Sequence, residues 1–121
     1  MERPLVLVVD DQEANRDLCR EALELHGYKV VTASGVREAE AILAAREVEA
    51  VVSDVSMPHN GVRVYEYLLQ NHPELRGRFI FMTGSAENFA RVKKLPEVAR
   101  CLMKPFSIQS LVEAMKAALR A

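Results

Sequence analysis

Three carboxylates, a hydroxyl and an amine stand where a single site could use them all. The doublet Asp10-Asp11 follows the apolar run Leu5-Val6-Leu7-Val8-Val9, and Asp54 follows Ala50-Val51-Val52-Ser53. Thr83 ends the run Phe79-Ile80-Phe81-Met82, and Lys104 ends Cys101-Leu102-Met103. Continuous apolar runs of this kind read as parallel strands buried on both faces. In open α/β sheets, ligands sit at the carboxyl ends of such strands. Acids gathered there repel, which raises some of their pKa values unless a cation sits among them. Oxygen ligands favour a hard cation, and few protein ligands plus waters suit Mg²⁺ better than Ca²⁺.

An amine at Lys104 could reach across that edge to neutralise a carboxylate or a phosphoryl oxygen. Thr83-Gly84-Ser85 adds a hydroxyl and a glycine that permits close backbone approach. Each feature has an ordinary alternative. A lone aspartate at a strand end is commonly a turn former, Asp11 could cap a helix starting near Glu13, and a lysine beside a turn proline is commonly just solvated. Their convergence describes a site for a small anion bound through a divalent metal.

Alternating elements must position these groups. After the first strand, Ala14, Leu18, Ala22 and Leu25 fall on one helical face. Gly27 is placed to end that helix, because it tolerates the left-handed conformation past a last turn. Tyr28 to Ala33 reads as a second strand, and Ser34 as the cap of a helix with Val36, Ala39 and Leu43 inward. The third strand spans Ala50 to Ser53, and Pro58 and Gly61 punctuate the loop beyond Asp54. Val64, Tyr65, Leu68 and Leu69 mark a third helix that fades before His72, since Pro73 disfavours helix there. Arg78 to Met82 is the fourth strand. A fourth helix over Ala86 to Leu95 has Phe89 and Val92 as its anchors. Arg100 to Met103 is the fifth strand, and Ser107 caps a last helix with the stripe Ile108, Leu111, Val112, Met115 and Leu119. Five strands alternating with five helices imply a parallel sheet covered on both faces.

Composition narrows the function classes. With 121 residues, half of them apolar, and a net charge of -1, the chain makes one globular domain without a basic nucleic-acid surface. Cys19 and Cys101 are too few for a disulfide framework, and both fall in predicted element interiors, where a thiol acts as a small hydrophobe. No stretch approaches membrane-spanning length, and Met1-Glu2-Arg3-Pro4 lacks the core of a signal peptide. The expectation is a soluble cytoplasmic protein. His26, His59 and His72 are scattered, which supports neither a metal cluster nor a histidine phosphodonor.

The spacing Asp54-Val55-Ser56-Met57-Pro58-His59-Asn60-Gly61, with Asp10-Asp11 before it and Thr83-Gly84 and Lys104-Pro105-Phe106 after it, resembles a response-regulator receiver domain of two-component signalling, in the CheY-like superfamily. The resemblance covers residues 1–121 as a single domain. It implies a flavodoxin-like, doubly wound five-stranded parallel sheet of order 2-1-3-4-5. By the same resemblance Asp54 is the phosphoacceptor for a sensor histidine kinase or histidine phosphotransfer protein. Mg²⁺ is held by Asp11, by Asp10 through water, by Asp54 and by the backbone carbonyl of Ser56. Thr83 hydrogen-bonds the phosphoryl group, Lys104 pairs with the aspartate or its phosphate, and Lys104-Pro105 is cis. The partners implied are the kinase and an output domain or downstream protein. No nucleic acid or membrane is expected at this domain, which is a monomer or weak dimer.

The sequence departs from the family at Cys101, where receivers usually carry an aromatic residue that reports the state of the threonine. Either another side chain carries the signal, Phe89 being the candidate, or the domain chiefly relays or stores phosphoryl groups. Ser56 and Ser85 flank the path of attacking water and predict a short-lived phosphoryl state. The charged helix bearing Glu13, Arg16, Asp17 and Arg20 is a candidate kinase-docking face, or simply solvated. Rival classes are a docking-only receiver and a small Mg²⁺-dependent phosphatase. The latter usually has a second acid two residues after its nucleophile, where this chain has Ser56. A flavin carrier is disfavoured because Asp10-Asp11-Gln12-Glu13 would repel a phosphate.

Overall fold

The computed structural model describes residues 3–55, 62–94 and 100–120. Five strands, β1 (Leu5–Val9), β2 (Lys29–Ala33), β3 (Ala50–Asp54), β4 (Phe79–Thr83) and β5 (Arg100–Met103), form one parallel sheet in the order β2-β1-β3-β4-β5. Five α-helices, α1 (Glu13–Leu25), α2 (Val36–Ala45), α3 (Val62–Asn71), α4 (Ala86–Lys93) and α5 (Ile108–Leu119), cover it. The flavodoxin-like order and the strand runs agree with the sequence expectation. A 3-10 helix over Pro73–Arg78 was not expected, and it takes Arg78 out of β4. The expected turn residues Pro58 and Gly61, and Leu95 at the expected end of α4, lie outside the described residues.

Strand parity divides the core. Side chains alternate across a sheet, so Val6, Val8, Val52, Ile80 and Met82 face α1 and α5, where they meet Cys19, Ala22, Leu23, Leu111 and Met115. Leu7, Val9, Val51, Phe79 and Phe81 face α2, α3 and α4, where they meet Ala39, Leu43, Tyr65, Leu68 and Val92. Tyr65 sets its ring edge-on to Phe79 and Phe81, with centroids 5.0 and 5.2 Å away.

Local signals were satisfied unevenly. Gly27 has φ +92, the left-handed conformation that ends α1. The Ser107 hydroxyl accepts from the Ser110 amide at 3.0 Å and caps α5. Ser34 does not cap α2: the N-cap is Gly35, and Ser34 instead donates to Glu38 Oε2 at 3.2 Å. Nor does Asp11 cap α1, whose N-cap is Gln12.

The inward face of α1 is the larger correction. Leu18 and Leu25 are 50% and 83% exposed, and the buried stripe is Cys19, Ala22 and Leu23. Ile108 is likewise exposed, whereas Leu111, Val112 and Met115 of the expected α5 stripe are buried.

Two stability measurements check this packing in urea. Leu23→Ala should cost roughly 2–5 kcal/mol, and Leu25→Ala no more than about 0.5 kcal/mol; equal costs would overturn the assigned face of α1. Ser107→Ala should cost about 1 kcal/mol through the lost cap.

Candidate functional site

The carboxyl edge gathers the expected groups because of the same parity. Asp10 continues the alternation of Val6 and Val8, Asp54 that of Ala50 and Val52, and Lys104 that of Leu102. All three therefore lean to the α1/α5 side of the sheet. Thr83 follows Phe79 and Phe81, with the opposite parity. Asp10 and Thr83 are 0% exposed and Asp54 is 4% exposed, while Asp11 lies open to solvent.

Ligand oxygens of Asp10, Asp11 and Asp54 all lie within 4.8 Å of one another. The Lys104 amine donates to Asp54 Oδ2 at 2.9 Å and to Asp10 Oδ2 at 3.0 Å. Its own amide donates to the Thr83 carbonyl at 2.7 Å, tying the ends of β4 and β5 together. The Lys104-Pro105 peptide is cis, as the resemblance implied. The Thr83 hydroxyl accepts from the Ser85 amide at 3.0 Å, and the Ser85 hydroxyl accepts from the Asn88 amide at 3.2 Å. Ser85 thus caps α4. Gly84 is not crowded, since an added Cβ would only touch Lys104 Cβ at 4.0 Å. The close approach expected of it is not needed by the chain itself.

Burial and pairing act in opposite directions here. At Asp10, burial pushes the carboxyl pKa up; bonds from the Gln12 amide and Lys104 pull it down, Asp54 adds to the rise, and the net is above the usual 3.8. At Lys104, burial pulls the amine down, but the bonds and charges of Asp54 and Asp10 outweigh it, and the net is above 10.5. Burial wins at Asp10 because that side chain is wholly enclosed, whereas Lys104 keeps 22% of its side chain exposed. The sign for stability follows from linkage. The Lys104 contribution is complete below pH 10.5 and fades as the pH rises through its higher folded value. The Asp10 charge costs stability above pH 3.8, a cost relieved as the pH falls through its raised folded value.

The thiols are quiet. Burial, with the charge of Asp10, pushes Cys19 up to about 11. Burial also raises Cys101, against the opposing charge of Lys93. Cys101 lies within β5 as expected but is only half-buried rather than enclosed, and it packs on the α4 side of the sheet.

Ser56 lies outside the described residues. Arg16, which the sequence presents only as surface charge, donates from Nη1 to the Asp10 carbonyl at 2.7 Å. It stands three and seven positions before Cys19 and Leu23, so the true inward stripe of α1 would have pointed to it. Arg20 and Asp17 form an exposed pair at 3.2 Å, as a solvated face would.

Known proteins share this arrangement of fold and sequence. Residues 6–116 match the family model of the response regulator receiver domain. The sensor kinase CckA of Brucella abortus is 39% identical over 116 residues, 92% of this chain and 12% of that protein. The response regulator MprA of Mycolicibacterium vanbaalenii is 36% identical over 117 residues, covering 95% of this chain and 50% of its own. The chain therefore spans half the length of that regulator and a small part of that kinase.

Two solved structures share the architecture. A signal receiver domain of an HD domain-containing protein from Pseudomonas fluorescens superposes with a TM-score of 0.85 at 29% identity, over 99% of this chain and 89% of that one. The response regulator TrrA of Thermotoga maritima, solved in complex with Mg²⁺-BeF, gives 0.85 at 25% identity, over 96% and 99%. Matched along most of its length in sequence and fold, the chain belongs to the response regulator receiver domains of two-component systems.

Proposed function

We propose that Asp54 accepts a phosphoryl group from a phosphohistidine on a sensor histidine kinase or histidine phosphotransfer protein. The observation that carries this reading is the Lys104 amine bonded at once to Asp54 and Asp10 inside a cluster of three carboxylates. When all three acids are ionised, the Lys104 ammonium, shared by Asp10 and Asp54, balances only one of their three charges. That donor set fits a hard divalent ion, with Asp10, Asp11 and Asp54 as oxygen ligands and the Ser56 carbonyl as the expected fourth. Bound Mg²⁺ would supply charge compensation for the phosphoryl oxygens.

The chain's own residues do the rest. An oxygen of Asp54 forms the new P–O bond as the P–N bond of the donor breaks, and the electron pair leaves on the imidazole. The Lys104 ammonium, already 2.9 Å from Asp54, remains to pair with the charge that arrives. The Thr83 hydroxyl accepts from Ser85, a bond compatible with donating its proton to a phosphoryl oxygen. Donors are expected to approach from the α1/α5 side, where Leu18, Pro105 and Phe106 line a hollow beside Lys104.

Receiver domains are signalling domains rather than turnover enzymes, so the phosphorylated state is the output. In this reading residues 1–121 act as one receiver domain in the cytoplasm. Moving a two-state equilibrium from 1:99 to 99:1 takes about 5.5 kcal/mol of differential stabilisation. New charge-assisted bonds at Thr83 and Lys104 supply part of it. With Cys101 at the usual aromatic position, the path from Thr83 through Ser85 to the cap of α4 is the connection that carries the change.

Acetyl phosphate with Mg²⁺, followed by intact-mass measurement, should add one phosphoryl group to the chain and none to Asp54→Asn. A variant that still gains the group would place the acceptor elsewhere. Lys104→Met should lose roughly 1–3 kcal/mol of metal-free stability in urea, because two buried acids lose their shared cation. Mg²⁺ should then stabilise that variant more than the parent; unchanged metal-free stability would contradict the pairing.

A further inference from the structure

Asp10 is anchored at four of its groups, and one anchor is a side chain from outside the acidic cluster. Its amide donates to the Ala33 carbonyl at 3.1 Å. Its Oδ1 accepts from the Gln12 amide at 2.9 Å, and its Oδ2 accepts from Lys104. The fourth group, the main-chain carbonyl, accepts from Arg16 Nη1 at 2.7 Å. That carbonyl belongs to the peptide joining Asp10 to Asp11, so its orientation helps set how both carboxylates face the cluster. Asp11 is exposed, and the N-cap position of α1 passes to Gln12, which makes no side-chain cap bond. Arg16 itself sits on a fixed base, because its amide donates to the Gln12 carbonyl at 3.1 Å. A guanidinium is planar and permanently charged, and its bond to a carbonyl is charge-assisted.

The geometry points to Arg16 as a positioning residue for the divalent-cation site: its guanidinium fixes the Asp10–Asp11 peptide so that both carboxylates are presented to Mg²⁺. This rests on the metal reading above. The idea makes a prediction of unusual sign. By charge alone, a guanidinium beside the cluster opposes a cation, so deleting it should tighten Mg²⁺ binding. By positioning, deleting it should loosen binding, as the loss of groups that orient metal ligands generally does.

The test follows the Gln12 amide signal by NMR while Mg²⁺ is titrated into the full chain and into Arg16→Ala and Arg16→Lys, with metal-free thermal midpoints measured alongside. Positioning expects Kd for Mg²⁺ to rise about 10-fold in Arg16→Ala. It also expects weakened binding in Arg16→Lys, which keeps the charge without the planar fork. The Mg²⁺ concentration for half-maximal phosphoryl uptake should rise in parallel. Equal or tighter binding by Arg16→Ala overturns the inference, as does a lowered thermal midpoint with Kd unmoved. Should Arg16→Ala fail to fold, Arg16→Lys decides by the same measurement. A parent chain that takes up no Mg²⁺ overturns the metal reading and this inference with it, whereas uptake by the parent with unaltered variants overturns this inference alone.

Discussion

One ammonium shared by two enclosed carboxylates is the constraint around which the carboxyl edge is arranged. Lys104 bridges Asp54 and Asp10 at 2.9 and 3.0 Å. Taking charges out of water is costly unless they are paired and hydrogen-bonded. The bridge meets that requirement only in part, because a third acid, Asp11, stands within the same 4.8 Å cluster. The carboxyl of Asp10 is shifted upward chiefly by its own burial, which the bonds from Gln12 and Lys104 offset only in part. Such a cluster of acids fits a further cation, and in the proposed function that cation would in turn offset the charge of an incoming phosphoryl group.

Much of this was legible in the chain. Strands buried on both faces write themselves as unbroken apolar runs, and β1, β3, β4 and β5 did so, each closing on a residue of the polar carboxyl edge. Ser107 and Gly27 acted locally, through a cap and a positive φ, and local signals survive folding well. The face of α1 was not legible. Leucines on two sides of that helix allow two stripes, and a small thiol at Cys19 marks the buried one less loudly than Leu18 marks the exposed one. Arg16 was missed for the same reason. The 3-10 helix after Pro73 follows from how the chain enters β4, and Ser34 lost its capping role to Gly35; neither carries a periodicity.

Cys101 is the departure with the widest reach. It is half-buried on the α4 side, and burial pushes its thiol pKa further up. A side chain of that size has no ring to swing between an inward and an outward position. The link from Thr83 to α4 here is instead made of main-chain amides and two hydroxyls, Thr83 to Ser85 and Ser85 to Asn88. Such a link has little slack, since each bond fixes the peptide that makes the next.

The alternation of side chains along the strands also separates traffic. Asp10, Asp54 and Lys104 open toward α1 and α5, while Thr83 and Cys101 belong to the side covered by α4. The sheet edge therefore turns two chemically different faces outward: in the proposed function a donor would meet the acidic face beside Lys104, while the change at Thr83 would be felt on the face that α4 covers.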